Sequence, residues 1–322
     1  MAEGAPGPAT VAVVTVNWNG WRMTLECLAA LRASVGADWH LFVVDNASTD
    51  DSRERLSGMG DGATLVESPV NGGWTGGNNL GVRAALDAGH RWVFILNNDA
   101  MVEPDTLARL MAVAAERPDA VLGPVHLDGT GRLYDYVGTD FNPRTGLPRW
   151  KPVDDASVAR LPDLIETVTI KGAGILARAE TFRQVGLFED RFYLNFDETD
   201  WCYRARAAGW ALLMVKSARI LHEGSGSIGG MASPLQSYFL ARNSLLFAER
   251  HCTPGQRWRL LRELYWDARD LPRGDPSRAG WLWRFLVRPS PAQRGFRRGL
   301  ADYARRRFGN CPPAVRTLGR RG

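Results

Sequence analysis

Residues 11–18 read VAVVTVNW and give the first indication of the fold. The run is apolar and rich in β-branched residues, and the turn-forming pair Asn19-Gly20 ends it, so it predicts a buried strand followed by a turn. Helical spacing of apolar residues follows over Trp21–Arg32. Strand and helix signals then continue to alternate, which predicts an α/β fold with a mostly parallel sheet covered by helices on both faces.

Three more buried strands are predicted at residues 40–44, 64–66 and 92–96. Residues 71–77, NGGWTGG, indicate a glycine-rich loop that leads into a helix over Asn78–Ala88. A further helix is expected after Glu103-Pro104-Asp105, because proline suits the first turn of a helix. Further along, the pattern predicts two strands (Leu133–Thr139, Ala211–Val215), an exposed loop (Asn142–Asp155) and three helices (Ala179–Val185, Asp200–Ala208, Leu235–Glu249).

Polar residues stand where predicted strands end. Asn17, Asp45 and Asp99 each follow an apolar run. In parallel α/β sheets, ligands bind beyond the carboxyl ends of the strands. Three polar strand ends beside a glycine-rich loop therefore indicate a nucleotide pocket.

An acidic cluster lies at residues 194–204, LNFDETDWCYR, with three carboxylates within four positions. Like charges this close cost stability unless a cation, a hydroxyl substrate or a basic side chain uses them. Asp200 is spaced to cap its helix or to pair with Arg204 or Arg206. A plain acidic helix N-terminus, favoured by the helix dipole, is the alternative for the whole cluster.

Charge is unevenly distributed along the 322 residues, whose net charge is +5. Residues 254–322 hold 17 Arg, no Lys and 5 acids, a charge of +12, so the remaining residues carry −7. The basic tail also contains four tryptophans, which suits contact with an anionic membrane surface, although docking on the acidic body remains an alternative. Nucleic-acid binding is not expected, because the tail contains no recognised module.

The remaining composition favours a cytoplasmic protein, placed at the inner face of the cell membrane if the tail binds lipid. No apolar run reaches the roughly 18 residues that a membrane span requires. The N-terminus has neither a basic start nor an apolar core, so no signal peptide is expected. The four cysteines form no CxxC pair, which argues against a zinc site or a disulfide framework.

Taken in order, the motifs resemble family 2 glycosyltransferases of the GT-A fold, in particular their rhamnosyltransferase-like branch. Each motif alone is weak, and the ordered set, which spans about Thr10 to Arg250, is specific. The motifs are Val14-Thr15-Val16-Asn17-Trp18-Asn19, Val43-Val44-Asp45-Asn46-Ala47-Ser48-Thr49-Asp50, Asn71-Gly72-Gly73 with Gly76-Gly77-Asn78-Asn79, Leu96-Asn97-Asn98-Asp99, Phe196-Asp197-Glu198-Thr199-Asp200 and Ile220-Leu221-His222.

The resemblance implies a GT-A fold, with a Rossmann-like mixed, mostly parallel sheet flanked by helices, and a helical basic C-terminal extension. Residues 1–9 are expected to be disordered, residues 10–250 to form the transferase domain, and residues 251–322 to form the extension. Within the domain, residues 10–123 would bind the nucleotide-sugar and residues 124–250 the acceptor.

The implied reaction is transfer of a sugar, with inversion, from a nucleotide-diphosphate donor to a hydroxyl acceptor in glycan, cell-wall or polysaccharide biosynthesis. Rhamnose on dTDP is the first expectation for the donor, ahead of UDP- or GDP-linked sugars. The acceptor would be a glycan, a lipid-linked saccharide or a small molecule.

The resemblance also implies which residues bind the donor: Thr15, Val16, Asn17, Asp45, Asn78, Asn79, Asn97, Asn98 and Asp99. Asp45 would recognise the base, and its alternative role is a turn residue that caps the helix after Ser48. The glycines would let backbone N–H groups approach the diphosphate, although a plain loop also uses glycine.

A divalent cation, Mg²⁺ or Mn²⁺, is implied at Asp99 and His222. Asn97-Asn98-Asp99 occupies the place of the family's Asp-X-Asp, but the first acid is replaced by Asn97, so Asp99 is the single strong ligand there. Because Mg²⁺ takes few protein ligands when phosphates supply the rest, one carboxylate can suffice. A strand-end N-cap of the following turn at Asp99 and a structural role for His222 are the alternatives.

Glu198 matches the family's catalytic base and Asp197 the acid before it. The pair is reversed from the commoner Glu-Asp order, so the two residues can exchange roles. Lys171, Gly172 and Trp201 are expected to contact the acceptor.

The helix predicted at Leu235–Glu249 carries two further expectations. Its Arg242-Asn243 pair would touch the diphosphate or lie on the helix surface. The helix itself, expected to be amphipathic, offers an interface for a homodimer.

Two other functions stay open at this level. A nucleotidyltransferase would share the sheet and the metal acid, but it should carry a basic glycine-rich signature after the first strand, where residues 17–21 read NWNGW. A nucleotide-sugar-binding protein that has lost catalysis is consistent with Asn97. A glycosidase is disfavoured, because the strand ends are of a nucleotide-binding type.

Overall fold

The computed structural model describes residues 11–133, 138–150, 160–222, 233–270 and 289–318, without the side chains of Trp150 and residues 265–270. These residues divide between two compact units. The sheet unit falls within Met1–Asp140, Arg149–Glu189 and Glu198–Gly224, and the helical unit within Phe141–Pro148, Asp190–Asp197 and Ser225–Gly322.

The secondary structure begins as an alternation of strand and helix and ends in helices. The strands are β1 (Val11–Asn17), β2 (Trp39–Asp45), β3 (Ala63–Glu67), β4 (Trp92–Leu96), β5 (Ala100–Val102), β6 (Ala120–Leu127), β7 (Thr139–Phe141), β8 (Pro148–Trp150), β9 (Leu164–Glu166), β10 (Gly174–Arg178) and β11 (Ala211–His222). The helices are α1 (Trp21–Arg32), α2 (Ser52–Ser57), α3 (Gly73–Asp87), α4 (Thr106–Glu116), α5 (Ala179–Val185), α6 (Asp197–Ala207), α7 (Pro234–His251), α8 (Pro254–Asp270), α9 (Pro291–Ala304) and α10 (Pro313–Thr317).

The sheet unit is built on a mixed sheet with strand order β3-β2-β1-β4-β10-β6-β11-β5, and β9 pairs with β11. Strands β3, β2, β1 and β4 are parallel neighbours, whereas β10 is antiparallel to both β4 and β6. In the parallel part the register aligns Asn17 with Asp45 and Asp45 with Glu67. The polar ends of three strands therefore reach one edge of the sheet together.

Each face of this sheet is covered by helices, because the side chains of the buried strands alternate between two cores. Val11 and Val13 of β1 pack in the core that holds buried side chains of α1, α2 and α4. Ala12 and Val14 pack in the core that holds those of α3, α5 and α6. This alternation explains why the strands read as continuous apolar runs.

In the helical unit α7 and α9 approach very closely, and two glycines of α9 make this approach feasible. A Cβ added at Gly295 would lie 2.2 Å from the carbonyl oxygen of Pro234, and one at Gly299 would lie 2.3 Å from that of Tyr238. Only residues without a side chain fit at these two positions.

The helix predicted at Leu235–Glu249 is present as α7, but it is not amphipathic. Its side chains over Ser237–Phe239 and Ala241–Ala248 are buried within this chain. Since almost every face of the helix is already covered, the expectation that α7 supplies a homodimer interface is wrong.

Several other boundaries differ from those predicted. The glycine-rich residues after Gly72 form the first turn of α3, which begins at Gly73 rather than Asn78, and α6 begins at Asp197 rather than Asp200. The segment predicted as an exposed loop contains the buried Thr145 and the strand β8. The predicted disordered N-terminus and most of the predicted strand at Leu133–Thr139 lie outside the described residues.

The C-terminal residues are helical where they are described, in α8, α9 and α10. Cys27, Cys202, Cys252 and Cys311 are all free thiols and buried. Within the described ranges, no helix is both long enough and apolar enough to cross a membrane.

Candidate functional site

A chain of side-chain hydrogen bonds joins the polar strand ends. The Asn17 amide donates to Asp45 Oδ1 over 3.2 Å, and Thr24 Oγ1 donates to Asn17 Oδ1 over 2.9 Å. The Asn98 amide, beyond the end of β4, donates in turn to Thr24 Oγ1 over 3.1 Å. Three of the predicted donor-binding residues, from three separate strand ends, are thus brought together at one edge of the sheet.

Asp45 is fully buried, and both of its carboxylate oxygens have protein partners. Oδ1 accepts from Asn17, while Oδ2 accepts from the Ser48 backbone N–H at 3.3 Å and from Arg53 Nε at 3.2 Å. A carboxylate offers about four acceptor positions. Three of these positions are therefore used in holding the turn at Ser48 and in binding Asn17 and Arg53, whereas the helix that follows has Asp51 at its N-cap.

Residues of β1 lie directly beside these strand ends. Thr15 is fully buried, and its hydroxyl has no hydrogen-bond partner among the described residues, whereas Val16 is partly exposed. A Cβ added at Gly77 would lie 2.6 Å from Val16 Cγ1. Glycine at position 77 therefore lets the first turns of α3 pack against the carboxyl end of β1.

The two asparagines of α3 are used internally. The Asn78 amide donates to the Trp74 carbonyl, and the Asn79 side chain both donates to the Phe188 carbonyl and accepts from the Phe188 N–H, each at 2.9 Å. Both side chains are buried. This geometry favours a structural role for Asn78 and Asn79 over the predicted contact with the donor.

Trp74 lies against two of the predicted binding residues. Its indole N–H donates to Asn97 Oδ1 over 2.8 Å. A Cβ added at Gly172 would lie 2.6 Å from the Trp74 ring, so the ring edge rests on the bare backbone of Gly172. Trp74 thus links Asn97 to the Lys171-Gly172 segment.

Asp99 and His222, far apart in sequence, are brought together by the pairing of β5 with β11, in which His222 lies opposite Ala100. His222 Nε2 is 3.3 Å from Asp99 Oδ1, and their side chains are 10% and 23% exposed. Among the described residues, no group of three His, Cys, Asp or Glu side chains is placed to hold a metal ion. The pair fits a divalent cation only if oxygen ligands from a bound diphosphate complete its shell.

His126 of β6 is a residue that the sequence did not identify. It is buried, its ring lies 5.7 Å from that of His222 in an edge-to-face arrangement, and neither ring nitrogen has a hydrogen-bond partner within the described ranges. Burial first, then the charges of Lys171 and His222, lowers the pKa of His126 well below its usual value. Nothing in the sequence around His126 distinguishes it from an ordinary strand residue.

The three carboxylates of the acidic cluster follow directly after a strained loop. Tyr193, Asn195 and Phe196 have φ values of 67°, 65° and 68°, in the left-handed region. This backbone conformation costs non-glycine residues about 1–2 kcal/mol each. Residues 191–196, here called the 191–196 loop, therefore need strong local support to hold this shape.

The three carboxylates that follow differ in exposure. Asp197 and Asp200 are buried, whereas Glu198 is partly exposed. Asp200 accepts from Arg204 Nε at 2.8 Å, as the spacing predicted, and Arg204 also donates to the carbonyls of Val185 and Leu187. Asp200 is thereby used in packing α6, and Glu198 is the carboxylate of this cluster with the best access to a substrate.

Trp201 does not line an acceptor pocket. It is fully buried, its ring stacks on Phe182 at 4.8 Å, and its indole N–H donates to the Gly186 carbonyl over 2.8 Å. The expectation that Trp201 contacts the acceptor is therefore wrong, because the side chain belongs to the core between α6 and the sheet.

Arg242 and Asn243 are neither on a helix surface nor available to a diphosphate. Both are fully buried. They donate to carbonyl oxygens of the 191–196 loop and to that of Gly309. Their function is therefore to bind backbone, and both sequence-based expectations for the pair are wrong.

Comparisons with known proteins show which families and folds this chain is similar to. Residues 11–157 match the sequence model described as glycosyl transferase family 2. The low-salt glycan biosynthesis hexosyltransferase Agl10 of Haloferax volcanii is 24% identical over 248 residues, which cover 73% of this chain and 74% of that protein. The N-acetylglucosaminyl-diphospho-decaprenol L-rhamnosyltransferase of Mycobacterium tuberculosis H37Rv is 26% identical over 261 residues, 74% of this chain and 84% of the relative.

A solved structure shares the fold at lower sequence identity. It is the mannosyltransferase PcManGT from Pyrobaculum calidifontis in complex with GDP-Man and Mn²⁺. The two superpose with a TM-score of 0.56 at 16% identity, over 92% of this chain and 87% of that one. At this identity the similarity concerns the fold alone.

Proposed function

We propose that this chain, a glycosyltransferase of the GT-A fold whose residues 11–157 match the model of glycosyl transferase family 2, inverts the anomeric centre of a nucleoside-diphosphate sugar during transfer to an acceptor hydroxyl. The observation that carries the proposal is the pairing of Asp99 with His222 at 3.3 Å. These two residues would hold a divalent cation, Mg²⁺ or Mn²⁺. When bound, such a cation neutralises the charge that develops on a departing diphosphate.

Glu198 is our proposed base, with Asp197 in a supporting role. Inverting transfer requires a group that removes the proton of the acceptor hydroxyl as the sugar is transferred. Glu198 is partly exposed and Asp197 is buried, which supports this assignment over the reverse.

Isosteric amides test the two roles. Glu198→Gln should lower kcat by about 10²- to 10⁴-fold, the usual contribution of a general base. Asp197→Asn, its matched control, should have the smaller effect on kcat. If Asp197→Asn is the more damaging substitution, the roles are exchanged, and if both variants retain full transfer activity, the proposed chemistry is wrong.

For the donor we propose dTDP-rhamnose, supported by the motif resemblance and by the rhamnosyltransferase named among the relatives. A ligand that binds only the folded state raises the melting temperature by mass action. Thermal-shift measurements with dTDP, UDP and GDP, each with and without Mg²⁺ or Mn²⁺, should show the largest increase with dTDP plus metal. A larger shift with UDP or GDP would replace the donor, and no shift with any of them would contradict nucleotide-sugar binding.

A second candidate is a nucleotide-sugar-binding protein without transferase activity, and Asn97 favours it. This residue occupies the position of the first acid of the family motif, and it accepts a hydrogen bond from Trp74. The two candidates differ in turnover. Binding of dTDP combined with neither transfer nor donor hydrolysis, across lipid-linked and soluble acceptors, would support the second candidate.

We propose a lipid-linked acceptor, approached by an exposed face of α8 at the inner surface of the cell membrane. Trp258 is 64% exposed and Leu261 is 45% exposed, and the exposed Arg259 and Arg262 flank them. An aromatic and an aliphatic side chain among arginines match an anionic bilayer surface. This face lies within the region of the chain that carries +12 charges.

Vesicle sedimentation tests this contact. The protein should pellet with vesicles that contain phosphatidylglycerol and not with pure phosphatidylcholine, and Trp258→Ala should reduce the bound fraction. Val70→Ala removes a side chain of similar exposure, 66%, from the sheet unit and serves as the control. Equal binding by all three proteins would contradict the proposed contact through α8.

A further inference from the structure

Arg242 is an arginine buried without a carboxylate partner among the described residues. Its Nη2 donates to the carbonyls of Arg191 at 3.3 Å and Phe192 at 2.9 Å, and its Nη1 donates to that of Gly309 at 2.6 Å. Its Nε donates to the side-chain oxygen of Asn243 at 2.9 Å. The guanidinium is thus used as a planar set of donors that ties three backbone carbonyls together.

Asn243 completes the set. Its amide nitrogen lies within hydrogen-bond distance of three carbonyl oxygens, those of Phe192 at 3.0 Å, Leu194 at 2.7 Å and Asn195 at 2.9 Å. An amide has only two N–H groups, so at least one of them is shared between two acceptors. Between them, Arg242 and Asn243 bind the backbone of the 191–196 loop at Arg191, Phe192, Leu194 and Asn195.

The loop that they bind is the one with the left-handed residues. A loop in this conformation exposes carbonyl oxygens on its inner side, and buried carbonyls without donors are costly. Aromatic packing adds to the hydrogen bonds, since Tyr193 stacks on Phe239 at 5.6 Å and Phe196 contacts Phe247 at 5.5 Å. Helix α7, which carries both phenylalanines, therefore shapes the whole loop.

The C-terminal residues are part of the same support. The Gly309 N–H donates to the Arg191 carbonyl at 2.9 Å, while the Gly309 carbonyl accepts from Arg242. Arg316 donates to the Tyr193 hydroxyl at 3.0 Å. The extension beyond the transferase motifs is thus built into the packing of the 191–196 loop.

We propose that Arg242 and Asn243 are positioning residues for catalysis, which fix the 191–196 loop so that Asp197 and Glu198, the next two residues, are presented in their working geometry. The inference rests on the proposed roles of these two carboxylates. The strained backbone of the loop then has a function. A backbone held at three left-handed residues has little freedom to move, so the two acids that follow are held in place. A misplacement of about 1 Å at such a group lowers a rate by roughly 10²-fold.

The first test uses Arg242→Lys and Asn243→Ala in the full chain, with Tyr303→Phe as the matched control. Tyr303 donates to Glu249 at 2.8 Å in the same helical unit and makes no hydrogen bond to the loop. The two loop variants should lower kcat by about 10- to 100-fold, while the donor KM changes by less than about twofold because ground-state donor binding is retained. Tyr303→Phe should leave both constants unchanged.

Hydrogen exchange gives a readout that does not depend on the reaction. The backbone amides of the 191–196 loop should exchange faster in Arg242→Lys and Asn243→Ala, with the rest of the protein unchanged. Unchanged exchange in the loop would overturn the proposal. An intact kcat in a variant whose loop exchanges faster would overturn it as well. By contrast, full activity of Glu198→Gln would overturn the proposed base and leave the exchange result standing.

Asn195→Gly covers the case in which the first two variants do not fold. Glycine adopts the left-handed conformation without steric cost, so folding is preserved, but the hydrogen bond from the Asn195 amide to Gln236 is lost and the loop gains freedom. The melting temperature should not fall, and kcat should decrease by about fivefold or more. A melting temperature and a kcat that both match those of the parent protein would contradict the proposed positioning role.

Discussion

The sheet unit and the helical unit place their polar side chains in opposite ways. In the sheet unit, the side chains of Asp99 and His222 are 23% and 10% exposed and Glu198 is partly exposed, although each already has protein contacts. In the helical unit, Arg242 and Asn243 are fully buried and bind backbone carbonyls. The first arrangement suits residues that receive a ligand, and the second suits residues that hold a loop.

This contrast shows that polar residues in a sequence motif can have two roles, either binding a ligand or holding the backbone of a loop. Residues near the sheet edge and the Arg242-Asn243 pair stand out equally in the sequence, as polar groups set among apolar ones. The partners of each side chain distinguish them, since Arg242 and Asn243 donate to backbone carbonyls of one loop, whereas Asp99 and His222 pair with each other. Substitutions in matched pairs test this difference between the two units.

The largest difference should appear between two paired carboxylates. Asp99→Asn should lower kcat by about 100- to 1000-fold, because stabilisation of a departing diphosphate by a bound cation is worth several kcal/mol. Glu249→Gln weakens its contacts with Arg306 and Tyr303, which lie within the helical unit. It should leave kcat unchanged. Removal of divalent cations with EDTA should reproduce the effect of Asp99→Asn, and added Mn²⁺ should restore activity to the parent protein.

Two results would contradict this contrast. Equal losses of kcat in Asp99→Asn and Glu249→Gln would mean that both carboxylates act through stability, which thermal unfolding of the two variants would reveal. Full activity after EDTA treatment, with no metal left by elemental analysis, would remove the cation from the proposal and leave Asp99 as a structural partner of His222.

Glycine substitutions probe packing in the helical unit. Gly299→Ala places a methyl group 2.3 Å from the Tyr238 carbonyl oxygen, whereas Gly255 of α8 has nothing within 4 Å of an added Cβ. Because a backbone oxygen cannot rotate away, Gly299→Ala should lower the free energy of unfolding by about 3 kcal/mol. Gly255→Ala should be neutral or slightly stabilising. Urea unfolding of both variants measures the difference, and equal stabilities would show that α9 moves freely against α7.

A corresponding pair of glycine-to-alanine substitutions in the sheet unit should have a smaller effect on the free energy of unfolding. A Cβ at Gly81 would lie 2.3 Å from Val14 Cγ1, whereas one at Gly76 meets nothing within 4 Å. The obstacle is a side-chain methyl group that can shift, so we expect Gly81→Ala to cost about 2 kcal/mol. Gly76→Ala on the same helix is the control and should raise the unfolding midpoint slightly. A cost at Gly81 above that at Gly299 would reverse the expected ranking of the two interfaces.

Much of the sheet could be predicted, because its strands are buried on both faces. The apolar runs of β1, β2 and β4 have no other plausible environment, and α1 begins and ends where its helical spacing does. The start of α3 could not be predicted, since the glycines there signal a loop although some of them are required for close packing of a helix. Gly77, for example, lies against Val16 at a distance that excludes a side chain.

The site was predictable in part, for a related reason. Polar residues at strand ends indicate an edge, and the structure joins Asn17, Asp45 and Asn98 there by hydrogen bonds through Thr24. Burial of single side chains is not encoded locally. Trp201, expected to face an acceptor, is a core residue, and neither His126 nor the carbonyl-binding role of Arg242 has any signal in its neighbouring sequence.

The smallest expected difference between the units is in the reactivity of their buried thiols, because the pKa values of these thiols differ. Burial raises the pKa of Cys27 and of Cys202 to about 12 in the sheet unit. In the helical unit burial also raises the pKa of Cys252 and of Cys311, but Arg257 acts against this at Cys252, and Arg316 and Arg242 do so at Cys311. Alkylation with iodoacetamide at pH 9, followed by peptide mass spectrometry, should therefore modify Cys252 and Cys311 before the other two.

The same shifts give a pH dependence with a definite sign. A thiol whose pKa is higher in the folded state than in the unfolded state stabilises the protein fully below the unfolded pKa, here the ordinary value of 9.0, and that stability is lost as pH rises towards about 12. Between pH 8 and pH 10 each such thiol accounts for a loss of about 1 kcal/mol. Cys27→Ala should therefore show a shallower fall in the free energy of unfolding over this interval than the parent protein, whereas Cys252→Ala should change the slope less. Identical slopes for the parent protein and Cys27→Ala would mean that the Cys27 thiolate is already accessible to water in the folded sheet unit.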